Sequence, residues 1–153
     1  LAGCGHVPDW FSRWRAFLAR LPAGLTPIAV AYADWHSARA PKPFDVLYAA
    51  RAAGCGGLLV DTYAKGAGNL FDHLALDELT ALVRAAHERG LTVALAGSLG
   101  AAQLHTVARL GADLFAVRGA VCQGGRNGRV DATQVHRLAT LLKRRSSALP
   151  LVS

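Results

Sequence analysis

Apolar positions along this chain follow two alternating patterns. Short unbroken apolar runs, bounded by glycine, proline or a charged residue, read as strands buried on both faces, and stretches with apolar residues at spacings of three and four read as helices packed on one side. The runs are Pro27 to Asp34, Gly56 to Asp61, Leu91 to Ala96 and Asp113 to Val117. The helical stretches are five. Val7 to Leu21 carries Trp10, Phe11, Trp14, Phe17, Leu18 and Leu21 on one face, with both tryptophans expected in the core. A second helix spans about Phe44 to Ala53 and stops at Gly54. A third, capped by Asp77, turns Leu79, Leu82, Val83 and Ala86 inward before Gly90, and a fourth runs from about Ala101 to Leu110. The last is capped by Asp131, with Val135, Leu138, Leu141 and Leu142 inward. Trp35 to Pro43, Tyr63 to Leu74 and Cys122 to Gly128 read as loops, and Ser146 to Ser153 as a loose tail.

Each strand is thus followed by a helix, the order that builds a parallel sheet through right-handed crossovers. We expect an α/β fold in which residues 1–145 carry the last four βα units of an eight-stranded TIM barrel, the (βα)8 fold. Four parallel strands cannot close a barrel, and an open sheet would leave two unpaired edges and one apolar face in water. A missing N-terminal barrel half or a homo-oligomer partner is expected to cover them. A complete four-stranded doubly wound sheet is the competing fold, and it would need a reversal of strand order.

With 153 residues, 52% of them hydrophobic, the chain is long enough for one domain with a true core. A net charge of +7 points to an anionic partner. The arginines fall on separate helical stretches without interleaved aromatics, so a small anionic metabolite is expected and nucleic acid is not. No apolar run approaches the ~20 residues of a membrane span, and the first residues have no signal-peptide pattern, so a cytoplasmic protein without membrane contact is expected. Cys4, Cys55 and Cys122 are odd in number and lack metal-ligand spacing; reduced thiols, no metal and no cofactor are expected. The absence of methionine leads us to expect a piece of a longer protein.

Candidate chemistry collects at the strand ends. In a βα barrel, side chains at the carboxyl ends of the strands share one pocket. Asp61 ends the second run and Lys65 follows four residues later, a pair suited to proton transfer or to Schiff-base chemistry; an ordinary loop lysine is the plainer alternative. Asp34 ends the first run and is a candidate for substrate contact. Gly97 and Ser98, between a strand and a helix, offer backbone N–H groups and a helix dipole to a phosphate, or form a plain turn. Arg118 beside Gly119 is a bidentate donor for the same phosphate, or a salt-bridge partner at the rim.

Four segments occur together in order and spacing: Ala31 to Asp34, Leu59 to Lys65, Ala94 to Leu99 and Ala116 to Cys122. Taken together they resemble the C-terminal half of the (5-formylfuran-3-yl)methyl phosphate synthase family, also called 4-(hydroxymethyl)-2-furancarboxaldehyde-phosphate synthase, over about residues 1–145. The resemblance implies a TIM barrel lyase that condenses two molecules of glyceraldehyde 3-phosphate into a phosphorylated furan aldehyde for methanofuran-type cofactors. It implies a lysine Schiff base, aldol-type bond formation, and loss of one phosphate and water. Asp61 and Lys65 would then be catalytic, and Asp34, Gly97, Ser98, Arg118 and Gly119 would bind the triose phosphate. The family's Schiff-base lysine and a second catalytic lysine sit on Asp-Val-Lys and Lys-Val-Gly-Leu strands, and neither string occurs in this chain. The piece alone is therefore expected to be inactive. Another phosphate-binding barrel enzyme of class I aldolase type, or a non-catalytic half-barrel that binds phosphorylated metabolites, are the alternatives.

Overall fold

In a computed structural model, residues 1–146 are described. Four strands form one parallel sheet in simple sequence order: β1 (Ile28–Tyr32), β2 (Gly57–Asp61), β3 (Thr92–Leu95) and β4 (Leu114–Phe115). The register pairs Val30 with Leu59, Leu59 with Ala94, and Ala94 with Leu114. Because the order never reverses, these strands do not form a doubly wound sheet. The crossover helices gather on one face, as in consecutive units of a partial βα barrel.

Burial follows the pleat. Ala29, Ala31, Leu58, Val60, Val93 and Leu95 are essentially sealed beneath the helices. The other phase, Ile28, Val30, Leu59, Ala94 and Leu114, stays partly open, Ile28 and Leu114 being more than half exposed. Successive side chains of a strand point to opposite faces, so one face of this sheet is core and the other is uncovered among the described residues.

The helices are α1 (Trp10–Leu18), α2 (Pro43–Ala52), α3 (Leu70–His73), α4 (Leu76–His87), α5 (Leu104–Arg109) and α6 (Ala132–Ser146). The expected stripe of α4 holds: Leu79, Leu82, Val83 and Ala86 are buried. Its cap differs, since Ala75 takes that position and Asp77 lies in the first turn, its carboxylate accepting from the Glu78 N–H. At α6 Asp131 caps as expected, accepting from the Gln134 N–H, and Leu138 is buried, but Val135 is exposed. The tail expected from Ser146 onward lies, beyond that residue, outside the described residues.

Three expectations are corrected. No residue of α1 is buried; Trp14 and Leu18 only lean on the core, this helix preceding β1, the edge strand of the sheet. The expected loop Tyr63 to Leu74 contains α3, started by reciprocal bonds between Asn69 and Asp72 and held by the Leu70 N–H donating to the Gly97 carbonyl at 3.0 Å. Cys122 to Gly128 is no plain loop either. Short strands β5 (Cys122–Gln123) and β6 (Arg129–Val130) pair antiparallel around a 3-10 turn at Gly125–Asn127. The first residues lie on the loop after β1, the Gly3 and Gly5 N–H groups donating to the Ala38 and Arg39 carbonyls.

Candidate functional site

The carboxyl ends of β2, β3 and β4 surround a cavity of about 580 Å³. Asp61, Lys65, Gly97, Ser98, Arg118 and Gly119 all line it, so six of the seven residues singled out from the sequence meet in one place. Parallel strands in register bring this about, because every strand delivers its last residues to the same rim.

Asp61 is the last residue of β2 and shares the open-face phase of Leu59. Lys65 folds back over it, its Nζ 3.0 Å from each carboxylate oxygen. The same ammonium donates to the Thr62 carbonyl, and the Thr62 N–H donates to Asp61 Oδ1 at 2.8 Å. The two side chains keep 29% and 25% of their exposure, so a substrate can reach the pair from the cavity. Tyr32 stands in register with Asp61 from β1 and meets the Tyr63 ring edge-on at 5.5 Å. Burial, and then the Asp61 charge, raise the phenol of Tyr32 above its ordinary value.

Arg118 lies just past β4. Arg126 lines the same cavity, carried there by the 3-10 turn that packs over Gly119. Neither arginine pairs with a carboxylate among the described residues. With Asp61 and Lys65 neutralising each other, the two guanidinium groups leave the cavity net positive, which suits a phosphate or a similar dianion. Gly97 and Ser98 turn the chain beneath them with φ of +101° and +51°. The helix expected from Ala101 begins only at Leu104, since Gly100 to Leu104 is spent on tight turns in which the Gln103 side chain holds the Gly100 N–H. Gly97 and Ser98 therefore do not sit on a helix N-terminus, and the helix dipole expected there for a phosphate is not in place.

Asp34 is the residue the cavity does not include. It is 7% exposed, and its two oxygens accept from the backbone N–H groups of Tyr63 at 2.7 Å and Ala64 at 2.8 Å. Burial alone would raise its carboxyl, but these two bonds, with His73 nearby, outweigh burial and hold it below the ordinary range. Arg126 escaped the sequence reading, which had no signal for it, since only the packing of two turns brings it to the rim.

These features define a class: an α/β chain with a four-stranded parallel sheet, at whose carboxyl strand ends a lysine, a carboxylate and two arginines converge. The chain belongs to the 4-HFC-P synthase family, whose profile matches residues 1–139. It is 40% identical over 116 residues to the (5-formylfuran-3-yl)methyl phosphate synthase of Methanobrevibacter smithii, covering 74% of this chain and 49% of that protein. To the synthase of the same name from Methanopyrus kandleri it is 43% identical over 117 residues, 75% of this chain and 49% of that one. For Methanocaldococcus jannaschii the figures are 39% over 118 residues, 76% and 50%. The chain thus spans about half the length of these curated relatives. Among the described residues no helix is long and apolar enough to cross a membrane, and no group of three or more histidine, cysteine or acidic side chains could hold a metal ion.

Proposed function

We propose that this chain is the C-terminal half of an eight-stranded TIM barrel, and that the complete protein is a lyase making (5-formylfuran-3-yl)methyl phosphate from two molecules of glyceraldehyde 3-phosphate. Supporting this are the family membership, the names its relatives carry, and a sheet whose one face is uncovered and whose two edges are unpaired among the described residues. The observation that carries the chemistry is the pairing of Lys65 Nζ with both Asp61 oxygens at the mouth of a cavity whose other cations are unpaired among the described residues.

In this reading Arg118, Arg126 and the Gly97 to Gly119 side of the cavity hold a substrate phosphate. Asp61 and Lys65 move protons on and off the carbon chain beside it. Asp61 takes the proton with Lys65 seated beside it, and Lys65 returns the proton or steadies the developing oxyanion. The Schiff-base step belongs to a lysine of the other half, so this half alone does not turn over.

The test is made with the complete protein and glyceraldehyde 3-phosphate, following furan aldehyde by its ultraviolet absorption. Asp61→Asn is expected to lower kcat by about 100-fold or more, the usual scale for losing a general acid–base group, while phosphate binding changes little. Undiminished turnover in that variant would remove Asp61 from the chemistry. Equal product from residues 1–153 alone would overturn the half-barrel reading.

A further inference from the structure

Asp34 was singled out for substrate contact, and both of its carboxylate oxygens accept from backbone N–H groups. We propose that Asp34 is a positioning residue, which fixes the turn after β2 so that Lys65 stays seated on Asp61. The inference rests on the reading of Asp61 and Lys65 as the working pair.

A carboxylate only 7% exposed must find hydrogen-bond donors or lose its charge, and Asp34 finds two. Both are main-chain N–H groups, and they belong to the two residues directly before Lys65. The bonds run from the end of one strand to the loop of the next, across 29 and 30 residues of sequence. They therefore fix tertiary geometry. Asp34 itself is held from behind, since the Ala38 N–H donates to its carbonyl and the Ala33 N–H to the Asp61 carbonyl.

The backbone beyond Lys65 explains why such a clamp matters. Gly66 and Gly68 both have left-handed φ, +96° and +106°, so the chain just past Lys65 bends where side chains resist least. The next firm point is Leu70, fully buried and bonded to the Gly97 carbonyl. Between Asp61 and Leu70 the main-chain anchors to other strand ends, among the described residues, are thus the two bonds to Asp34. Releasing them frees the peptides that set where the Lys65 side chain starts, and the seating of its Nζ on Asp61 is lost with them.

Asp34→Asn tests this, because an amide offers one acceptor oxygen where the carboxylate offers two, and turns an NH2 toward the other N–H. In the substrate-free protein, Lys65 acetylation is measured by mass spectrometry against free Nα-acetyl-lysine in the same tube, with hydrogen exchange read at Tyr63 and Ala64. We expect exchange at those amides to rise about tenfold and Lys65 labelling to rise about fivefold, the scale of one or two hydrogen bonds lost, with amides of α4 unchanged. In the complete protein kcat falls and KM does not. Faster exchange with unchanged Lys65 labelling would overturn the proposal, because Asp34 would then only tether backbone. A measurement without any variant covers failure of the Asn form to fold: in the wild type, Tyr63 and Ala64 must exchange at least about tenfold more slowly than Lys65 and Gly66, and equal rates overturn it. Since labelling and exchange need no substrate, they stand or fall apart from the proposed reaction.

Discussion

At the scale of single residues, Gly97 shows how a predicted ligand doubles as a packing requirement. Its φ of +101° disfavours any side chain, and a Cβ there would sit 2.9 Å from the Thr62 methyl and 3.2 Å from the Thr62 nitrogen. Thr62 is wholly buried, so it has nowhere to retreat. Gly97→Ala is therefore expected to destabilise the fold by about 2 kcal/mol, strain and contact together, read as a lowered midpoint in urea unfolding. An unchanged midpoint would mean that β2 and β3 do not approach as described. Asp34 and Asp61 make the complementary point. Both are acids at the ends of neighbouring strands, and what separates them is which donors lie within reach.

Between elements, the clearest link outside the site joins α4 to the start of β4. The Asp113 carboxylate accepts from the Val93 N–H at 2.7 Å and meets His87 Nε2 at 2.9 Å, and these contacts, the backbone bond first, hold its carboxyl below 3.8. A folded-state value below the unfolded one means stability that is present above about pH 3.8 and lost as pH falls through the lower folded value. Thermal melts taken from neutral pH downward are expected to show this loss at the acid end. Asp113→Ala should lower the melting temperature at pH 7, and the gap from wild type should narrow below pH 3.8. A gap independent of pH would assign the effect to packing alone.

For the whole molecule, the uncovered face decides what this chain requires. Val30, Leu59, Ala94 and Leu114 form one cross-strand row on it, and β1 and β4 each leave an edge unpaired among the described residues. Free parallel edges over an apolar face invite association, which is why barrels close. Leu114→Lys places a charge where the side chain is already 59% exposed, so the stability of this chain should move by less than about 0.5 kcal/mol. If the proposed half-barrel reading holds, the same change should weaken pairing with the complementary half by at least about a hundredfold, since an unpaired ammonium would be buried there. Titration of one half with the other, followed by size-exclusion chromatography, reads both. Unimpaired pairing would show that this face is not the contact surface.

Much of this was readable in the sequence for a local reason. A buried parallel strand must be apolar along its whole length and a covering helix apolar at every third or fourth position, so the runs ending at Asp61 and Ala96 and the stripe from Leu79 to Ala86 announce themselves. Parallel order then places the strand ends on one rim, which is how Asp61, Lys65, Ser98 and Arg118 could be gathered without coordinates. Tertiary structure alone decided the rest. Whether Trp10 and Trp14 are core depends on what lies beside an edge strand, and the presence of Arg126 at the cavity depends on one turn packing over another. That Asp34 faces backbone rather than cavity depends on donors 29 and 30 residues away. Periodicity records which face of an element is apolar; it carries no record of which distant N–H group a carboxylate will meet.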